Sequence, residues 1–250
     1  MHKETVKSDF VFGMHPVMEA LKSDKQTEKI LVQNNLKSEN IRELLTLAKE
    51  KNVPVQRVPP EKLTKITTKN HQGVIAYVSV VHFADIEDVL ASVYESGEVP
   101  LIVVLDRITD VRNFGAIVRS AVCMGAHAVL IPAKGSAQIG SDAVKTSAGA
   151  LHFLPVCRAK ILHETLKTLK DAGLKIIACT EKAEKAIFQT DYTAPLALVV
   201  GSEENGIASE ILKISDEKVL IPMVGRIESL NVSVAAGILL YEVERQRLTI

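Results

Sequence analysis

No apolar run in the chain approaches the ~20 residues that a membrane-spanning helix needs. Its first ten residues, MHKETVKSDF, hold no apolar core of the kind a secretory leader carries. Neither an anchor nor export is therefore expected. Cysteine is scarce: Cys123, Cys157 and Cys179 stand in apolar surroundings without metal-ligand spacing. They read as buried thiols in a reducing cytoplasm, not as a disulfide framework or a metal site. Internal repeats and low-complexity tracts are missing as well, which excludes solenoids and arrays. Net charge is missing too, with 30 Lys+Arg against 30 Asp+Glu. A protein that coats RNA by bulk charge is excluded on that ground. What is present is 250 residues with 47% apolar content and a mean hydropathy of +0.16. That describes a globular chain with ample core, forming one large domain or two small ones.

The zero sum hides a distribution. Residues 1–80 hold 13 basic and 9 acidic side chains, a net of +4. Residues 81–99 hold five acids and no Lys or Arg, and residues 100–250 hold 17 basic and 16 acidic side chains. The acidic stretch lies between two strand-like runs, VIAYVSVV and LIVVLD. It reads as an exposed linker over 82–99 with a short helix, joining domains 1–81 and 100–250. In the first domain Pro16 is positioned to open a helix through Leu21. Ser38 suits the N-cap of a helix carrying Ile41, Leu44, Leu45 and Ala48. Strands are predicted at EKILVQ, VPVQRV and VIAYVSVV, with a short helix at PEKLTKI. The polar loop Lys69-Asn70-His71-Gln72-Gly73 precedes the last of these strands.

The second domain alternates in the same way. Strands are predicted at 101–105, 128–131, 175–179, 196–200 and 218–221, and the last helix from Val232 to Arg247. Short, near-continuous β-branched runs separated by helices imply a parallel sheet covered on both faces. Ligands bind beyond the carboxyl ends of such strands. Three loops stand there. The first runs from Asp106 to Gly115, with Asn113 as a plausible N-cap and Arg107, Arg112 and Arg119 around the helix start. It suits a phosphate, and equally a capped helix with solvated arginines. The second, Gly201-Ser202-Glu203-Glu204-Asn205-Gly206, has glycines that allow close backbone approach, though an ordinary tight turn explains it better. It is neither a dinucleotide nor a P-loop fingerprint. The third runs from Ile221 through Met223, Ser229 and Leu230 to Asn231, where Ser229 and Asn231 are plain capping types.

Together and in this order, these loops resemble the SpoU (TrmH) family of RNA ribose 2'-O-methyltransferases. The matching residues are Asn113-Phe-Gly-Ala-Ile-Val-Arg119, Gly201-Ser-Glu203-Glu-Asn-Gly206, and Ile221-Pro-Met-Val-Gly225 with Ser229-Leu-Asn231-Val-Ser-Val-Ala. Phe12-Gly13-Met-His15-Pro16 and His71-Gln72-Gly73 resemble the family's substrate-binding domain, related in shape to the ribosomal protein L30e. The whole chain is similar to the subgroup acting on a guanosine of 23S rRNA in the peptidyl-transferase P loop. One departure is visible: Asp110 is followed by Val111 where the family usually has proline. That change removes a φ restraint but no functional group.

The resemblance implies an α/β fold, a SPOUT-type trefoil-knotted parallel-sheet catalytic domain, with a small L30e-like N-terminal domain. It implies a homodimer in the cytoplasm, S-adenosylmethionine as cofactor, RNA as partner, and no metal. By the same resemblance Arg119 is the base or a phosphate clamp, and Asn113, Glu203, Ser229 and Asn231 position it and the substrate. Arginine is ordinarily a poor base because its guanidinium stays protonated, so both roles for Arg119 stand. Gly201, Ile221 and Leu230 would hold the cofactor through backbone groups, with Met223 and Thr180 lining the pocket. His71, Gln72, Arg57, Lys69 and Arg112 are the candidates for RNA contacts, although His71 and Gln72 also suit a self-stabilised turn. A tRNA ribose methyltransferase and a non-catalytic RNA-binding protein are the alternatives.

Overall fold

The computed structural model describes residues 10–22, 27–78, 81–226 and 229–248. The chain divides into two compact units, Met1–His82 with Gln138–Ser141, and Phe83–Ala137 with Asp142–Ile250. The first unit runs β1 (Phe10–Phe12), α1 (Met14–Lys22), β2 (Thr27–Gln33), α2 (Glu39–Glu50), β3 (Val55–Val58), α3 (Pro60–Ile66) and β4 (Val74–Val78). Its sheet has the order β1-β4-β2-β3, with β2 and β3 parallel and the other pairs antiparallel. Side chains alternate between the faces of a strand. Ile30, Val32, Val74 and Ala76 therefore meet Val17 and Leu21 of α1 and Ile41 and Leu44 of α2. Leu31, Val58 and Ile75 point the other way and meet Leu63 of α3.

Local signals explain most of these boundaries. The Ser38 hydroxyl accepts from the Ile41 N–H at 3.3 Å and caps α2. Pro16 does not open α1, which begins at Met14. It sits in the first turn, where an N–H has no intrahelical partner to lose. Strand β1 escapes prediction because three residues, Phe-Val-Phe, are too short to display a period.

The second unit begins with β5 (Phe83–Ala84) and α4 (Ile86–Glu95). The acidic stretch is therefore no exposed linker. Phe83 and Ala84 pair with the edge of the large sheet, and Ile86 and Leu90 enter its core. The acids lie on the outer side of α4, while the Asp85 carboxylate caps it by accepting from the Glu87 N–H at 2.8 Å. A helix with one apolar stripe buries that stripe whatever its net charge.

The remaining elements are β6 (Leu101–Asp106), α5 (Val111–Cys123), β7 (Ala128–Pro132), α6 (Ser141–Thr146), β8 (Val156–Ala159), α7 (Leu162–Asp171), β9 (Lys175–Cys179), β10 (Lys185–Ala186), β11 (Leu196–Gly201), α8 (Ser209–Ile214), β12 (Glu217–Leu220) and α9 (Val232–Arg247). Their strands form one sheet in the order β10-β12-β9-β11-β6-β7-β8-β5, every described pair parallel. On one face α4, α7 and α8 cover Ile102, Val104, Ile176, Ala178, Ala197 and Val199. On the other, α9 contacts β11 and packs against α5. Strand β8 was not expected, since Arg158 interrupts its short apolar run, yet the Arg158 guanidinium stacks 3.6 Å from the Phe83 ring centroid. Cys157 and Cys179 are buried or half-buried, and burial pushes both thiols up to about 12. Cys123 departs from the expectation: it lies exposed at the end of α5.

At the amino ends of the strands, Glu217 is ringed by Lys175, by Lys185 at 2.5 Å and by the Thr190 hydroxyl at 2.8 Å. Burial raises its carboxyl, but the three donors outweigh that and hold it down at about 2. A carboxylate held below its ordinary value stabilises the fold at neutral pH, and that contribution disappears as pH falls through the depressed value. Acid unfolding of the wild-type chain should therefore show a loss of up to about 3 kcal/mol between about pH 4.5 and 2. Glu217→Gln should flatten that segment of a chemical-denaturation pH series, and a series of unchanged slope would refute the assignment.

Candidate active site

All strands of the large sheet being parallel, their carboxyl ends share one edge. Along it β12, β9, β11 and β6 are consecutive neighbours. The loops leaving β6 and β11 are locked together at their roots. The buried Asp106 carboxylate accepts from the Ala208 N–H at 2.7 Å and pairs with Arg107 at 3.3 Å, while the Arg107 guanidinium donates to the Gly206 carbonyl at 3.0 Å. Arg107 holds this position with φ +59, in the left-handed region. A non-glycine residue there costs about 1–2 kcal/mol, so the strut is maintained against backbone strain.

The β11 loop is a tight turn. The Gly206 N–H donates to the Ser202 carbonyl at 2.8 Å, and the Asn205 N–H to the Ser202 hydroxyl at 3.1 Å. A Cβ on Gly201 would lie 2.2 Å from the Gly206 carbonyl carbon. The glycine is thus required by the loop closing on itself, and the space above it is not open to a ligand. What Gly201 can offer is its backbone.

Across these loops three polar side chains meet. Glu203 Oε1 accepts from Asn113 Nδ2 at 3.2 Å, from Asn231 Nδ2 at 2.7 Å and from the Val232 N–H at 3.1 Å. Asn231 Nδ2 also donates to Asn113 Oδ1 at 3.0 Å. Asn231 Oδ1 accepts from the Ser233 N–H at 3.0 Å and so caps α9. The carboxylate stands at the amino end of α9, where the helix dipole favours negative charge. Asn113, in contrast, is not the cap of α5. Asp110 takes that place, accepting from the N–H groups of Arg112 and Asn113 at 2.7 and 3.3 Å. Freed from capping, the Asn113 amide turns to Glu203.

Arg119 lies outside this network. Six residues along α5 carry it about 120° round the helix from Asn113. It is exposed, and no described residue hydrogen-bonds to it. Ser229 is also exposed and takes no part in the network among the described residues. One glycine sets how closely α5 packs: a Cβ on Gly115 would lie 2.1 Å from the Thr146 hydroxyl, whereas one on Gly237 of α9 would meet the Ser120 hydroxyl at an ordinary contact distance of 3.8 Å.

The candidate cofactor residues fit an adenosyl ligand. Thr180, Gly201 and Ile221 stand at the carboxyl ends of three adjacent strands, although the Thr180 N–H donates to the Val219 carbonyl at 2.9 Å and its carbonyl accepts from the Ala183 N–H at 3.1 Å. Met223 and Leu230 expose apolar side chains on the loop that follows, at 41% and 37%. The Thr180 side chain is buried, and its hydroxyl accepts from the Lys182 N–H at 3.4 Å, so it serves its own turn.

Of the residues chosen for RNA contact, three are engaged locally. His71 Nδ1 accepts from the Gly73 N–H at 3.0 Å, leaving its proton on Nε2 when the ring is neutral. Gln72 Oε1 accepts from the Met14 N–H at 2.9 Å, with φ +51 at Gln72 itself. Arg57 donates to the carbonyls of Gln33 and Leu36 at 3.4 Å each. Lys69 is exposed. Arg112 is 82% exposed and pairs with its neighbour Asp110, which raises its own value and lowers that of Asp110. Among the described residues no cluster of three or more His, Cys, Asp or Glu could hold a metal, and no helix is long and apolar enough to cross a membrane.

Residues 100–241 match the family model described as the SpoU rRNA methylase family. The chain belongs to that family. Residues 10–83 match the model described as RNA 2'-O ribose methyltransferase substrate binding. The SpoU chain is 36% identical to YacO of Bacillus subtilis, named as a TrmH-family tRNA/rRNA methyltransferase, over 96% of both chains. Its fold is similar to the SpoU methyltransferase AviRb of Streptomyces viridochromogenes, solved with AdoMet (TM-score 0.61, 28% identity, 96% of this chain and 91% of that one). It is also similar to the TrmH/SpoU tRNA modifying enzyme of A. aeolicus (TM-score 0.56, 36% identity, 65% of this chain and 84% of that one). The protein is accordingly an RNA 2'-O-ribose methyltransferase that uses S-adenosylmethionine.

The strut missed by sequence reading serves both stability and activity. In Arg107→Gly the relief of a left-handed arginine only partly offsets the loss of the buried Asp106 carboxylate's charge partner, so stability should fall by about 1–3 kcal/mol in chemical denaturation. The β11 loop loses its anchor, and kcat should fall about tenfold or more, since small misplacements in a site cost up to ~10²-fold. Unchanged turnover would refute a positioning role. Glu203→Ala removes the acceptor shared by three donors and should lower kcat about 10²-fold, with cofactor affinity, measured by calorimetry, changed far less.

Proposed function

We propose that the enzyme methylates the ribose 2'-hydroxyl of a guanosine in the peptidyl-transferase P loop of 23S rRNA. The observation that carries the site assignment is the Asn113–Glu203–Asn231 network. It joins the three family loops at one point beside the strand ends.

When bound, S-adenosylmethionine supplies a methyl group already activated by its sulfonium charge. Backbone groups of Gly201, Ile221 and Leu230, with the Met223 side chain, hold it. The chain's remaining task is to make the ribose O2' nucleophilic, which means taking its proton or stabilising the negative charge that develops on the oxygen. We assign that to Arg119, which pairs with no described residue: as the guanidinium it clamps a substrate phosphate and donates to O2' as charge develops there, and only as the neutral guanidine would it accept the O2' proton. Asn113 and Asn231 present amide groups to the ribose and its flanking phosphate, with Ser229 beside them. Glu203 sets the rotamers of both asparagines by accepting from each.

The exposed Val234 and Tyr241 of α9, at 50% and 58%, support a homodimer formed through this helix. The small residues opening α9 suit the close threading of a trefoil knot. A cytoplasmic location accords with the RNA substrate. The basic first unit, with Lys69, Arg57, His71 Nε2 and the Gln72 amide, docks the RNA, and Arg112 meets it at the active site. A tRNA substrate is the second reading, favoured by the 36% identity to a tRNA modifying enzyme.

Mapping of ribose methylation in ribosomal and transfer RNA after gene deletion decides between the two. Loss at a P-loop guanosine is expected, whereas loss confined to tRNA transfers the assignment. Arg119→Lys keeps the charge but removes the guanidinium fork, and should lower kcat about 10²-fold or more; near-full activity would reject any role that needs the fork. Affinity for RNA should fall steeply with salt, as counterion release requires when several phosphates are contacted.

A further inference from the structure

The first unit's sheet is covered unequally. One face lies under α1 and α2. On the other, the described helix is α3, seven residues long. Beyond it the strand positions carry a different composition. Phe10 pairs with Tyr77 across β1 and β4, their ring centroids 6.2 Å apart, and Phe12 lies 6.2 Å from Phe10. Lys29 of β2 places its ammonium 4.7 Å from the Tyr77 ring centroid. Gln33 and Gln56 follow on the same face, by alternation from Leu31 and Val58. Phe10, Phe12, Tyr77 and Lys29 are all half-buried, with the three aromatic residues packed against Leu31, Val58, Leu63 and Ile75.

A face built only to close a core would be aliphatic, as the opposite one is. A face built only for solvent would not collect three aromatic rings on adjacent strands. Flat rings, one lysine and two amides match what unstacked bases and their phosphates require: π surface, a cation and hydrogen-bonding edges. Among the first unit's described strands the one acid, Glu28, lies at the β2 irregularity, buried, with its carboxylate accepting from the Ile139 N–H at 2.8 Å. A second copy of the same face would bring Lys29 no exposed strand carboxylate, whereas RNA brings phosphate.

We propose that Phe12, Tyr77 and Lys29, with Phe10, form a stacking platform for unpaired bases of the RNA substrate, apart from the His71–Gln72 loop. This rests on the reading of the enzyme as RNA-directed, and deepens it by naming the feature bound: single-stranded bases held face-on.

The chain has no tryptophan, so Tyr77→Trp in the full-length protein creates a single indole on the platform. Titration with the oligoribonucleotide rU12 at low salt should quench its emission. Binding seen by anisotropy of labelled rU12 without quenching would overturn the proposal, as would no binding of rU12. An indole emission that shifts with protein concentration but not with rU12 would overturn it too, and mark the face as a contact between copies. Phe12→Leu and Tyr77→Leu keep apolar contact with the core and give a second readout should Tyr77→Trp not fold. Each should weaken rU12 binding about tenfold, the scale of one lost base–aromatic stack. Both should leave the dissociation constant for S-adenosylmethionine unchanged. Unaltered RNA affinity and KM in both variants, with the wild type fully able to methylate RNA, would reject the platform alone. A wild type that methylates no RNA would reject the broader reading.

Discussion

One carboxylate oxygen holds the site together. Glu203 accepts from residues ninety positions before it and twenty-eight and twenty-nine after it. These donors lie on two segments, the start of α5 and the start of α9, so the loop carrying Glu203 ties both helix starts together. A shared acceptor of this kind is strong because it is charged, and brittle because its loss strands several donors at once. The Asp106–Arg107–Gly206 strut works beneath it, fixing the root of the loop that carries Glu203. The candidate site therefore stands on two polar layers, an exposed one at the strand ends and a part-buried one that sets its geometry.

Helix α9 transmits this arrangement through the unit. Its amino end is capped by Asn231 within the network. Its carboxyl end is pinned by Arg247, whose guanidinium donates to the carbonyls of Val99, Pro100, Tyr192 and Ala194. Burial lowers the value of that guanidinium, and four carbonyls stand in for a carboxylate partner. The helix is thus fastened at both ends of the strands, to the loop that carries Glu203 at one and to the starts of β6 and β11 at the other. Helix α5 packs along α9, and at their starts Asn113 and Asn231 meet.

Much of the fold was legible because its signals are local. Parallel strands buried on both faces read as continuous β-branched runs, and Ser38 declared its helix by the capping position alone. The misreadings have local causes as well. Net charge made residues 82–99 look like a linker, although the apolar stripe Ile86–Leu90–Val93 decides where a helix lies. Asn113 looked like a cap because it is a capping type, but the helix starts three residues earlier, where Asp110 accepts from the N–H groups of Arg112 and Asn113. The preference for a tight turn over residues 201–206 holds, but a sequence cannot show that the chain returns so close that Gly201 has no room for a Cβ.

By itself the sequence determined the class of fold, the division into a basic unit and a nearly neutral one, and the set of polar residues at strand ends. These follow from period, composition and the chemistry of short motifs, which act over a few residues. The tertiary structure decided which of those residues meet. Asn113, Glu203 and Asn231 form one network while Arg119, on the same helix as Asn113, turns away from it. It also decided that an arginine with a left-handed backbone anchors the site, and that one face of the small sheet keeps its aromatic rings half-exposed. Hydrogen bonds and ring contacts between distant segments depend on strand order and helix rotation. Those are properties of packing, and no stretch of this sequence contains them.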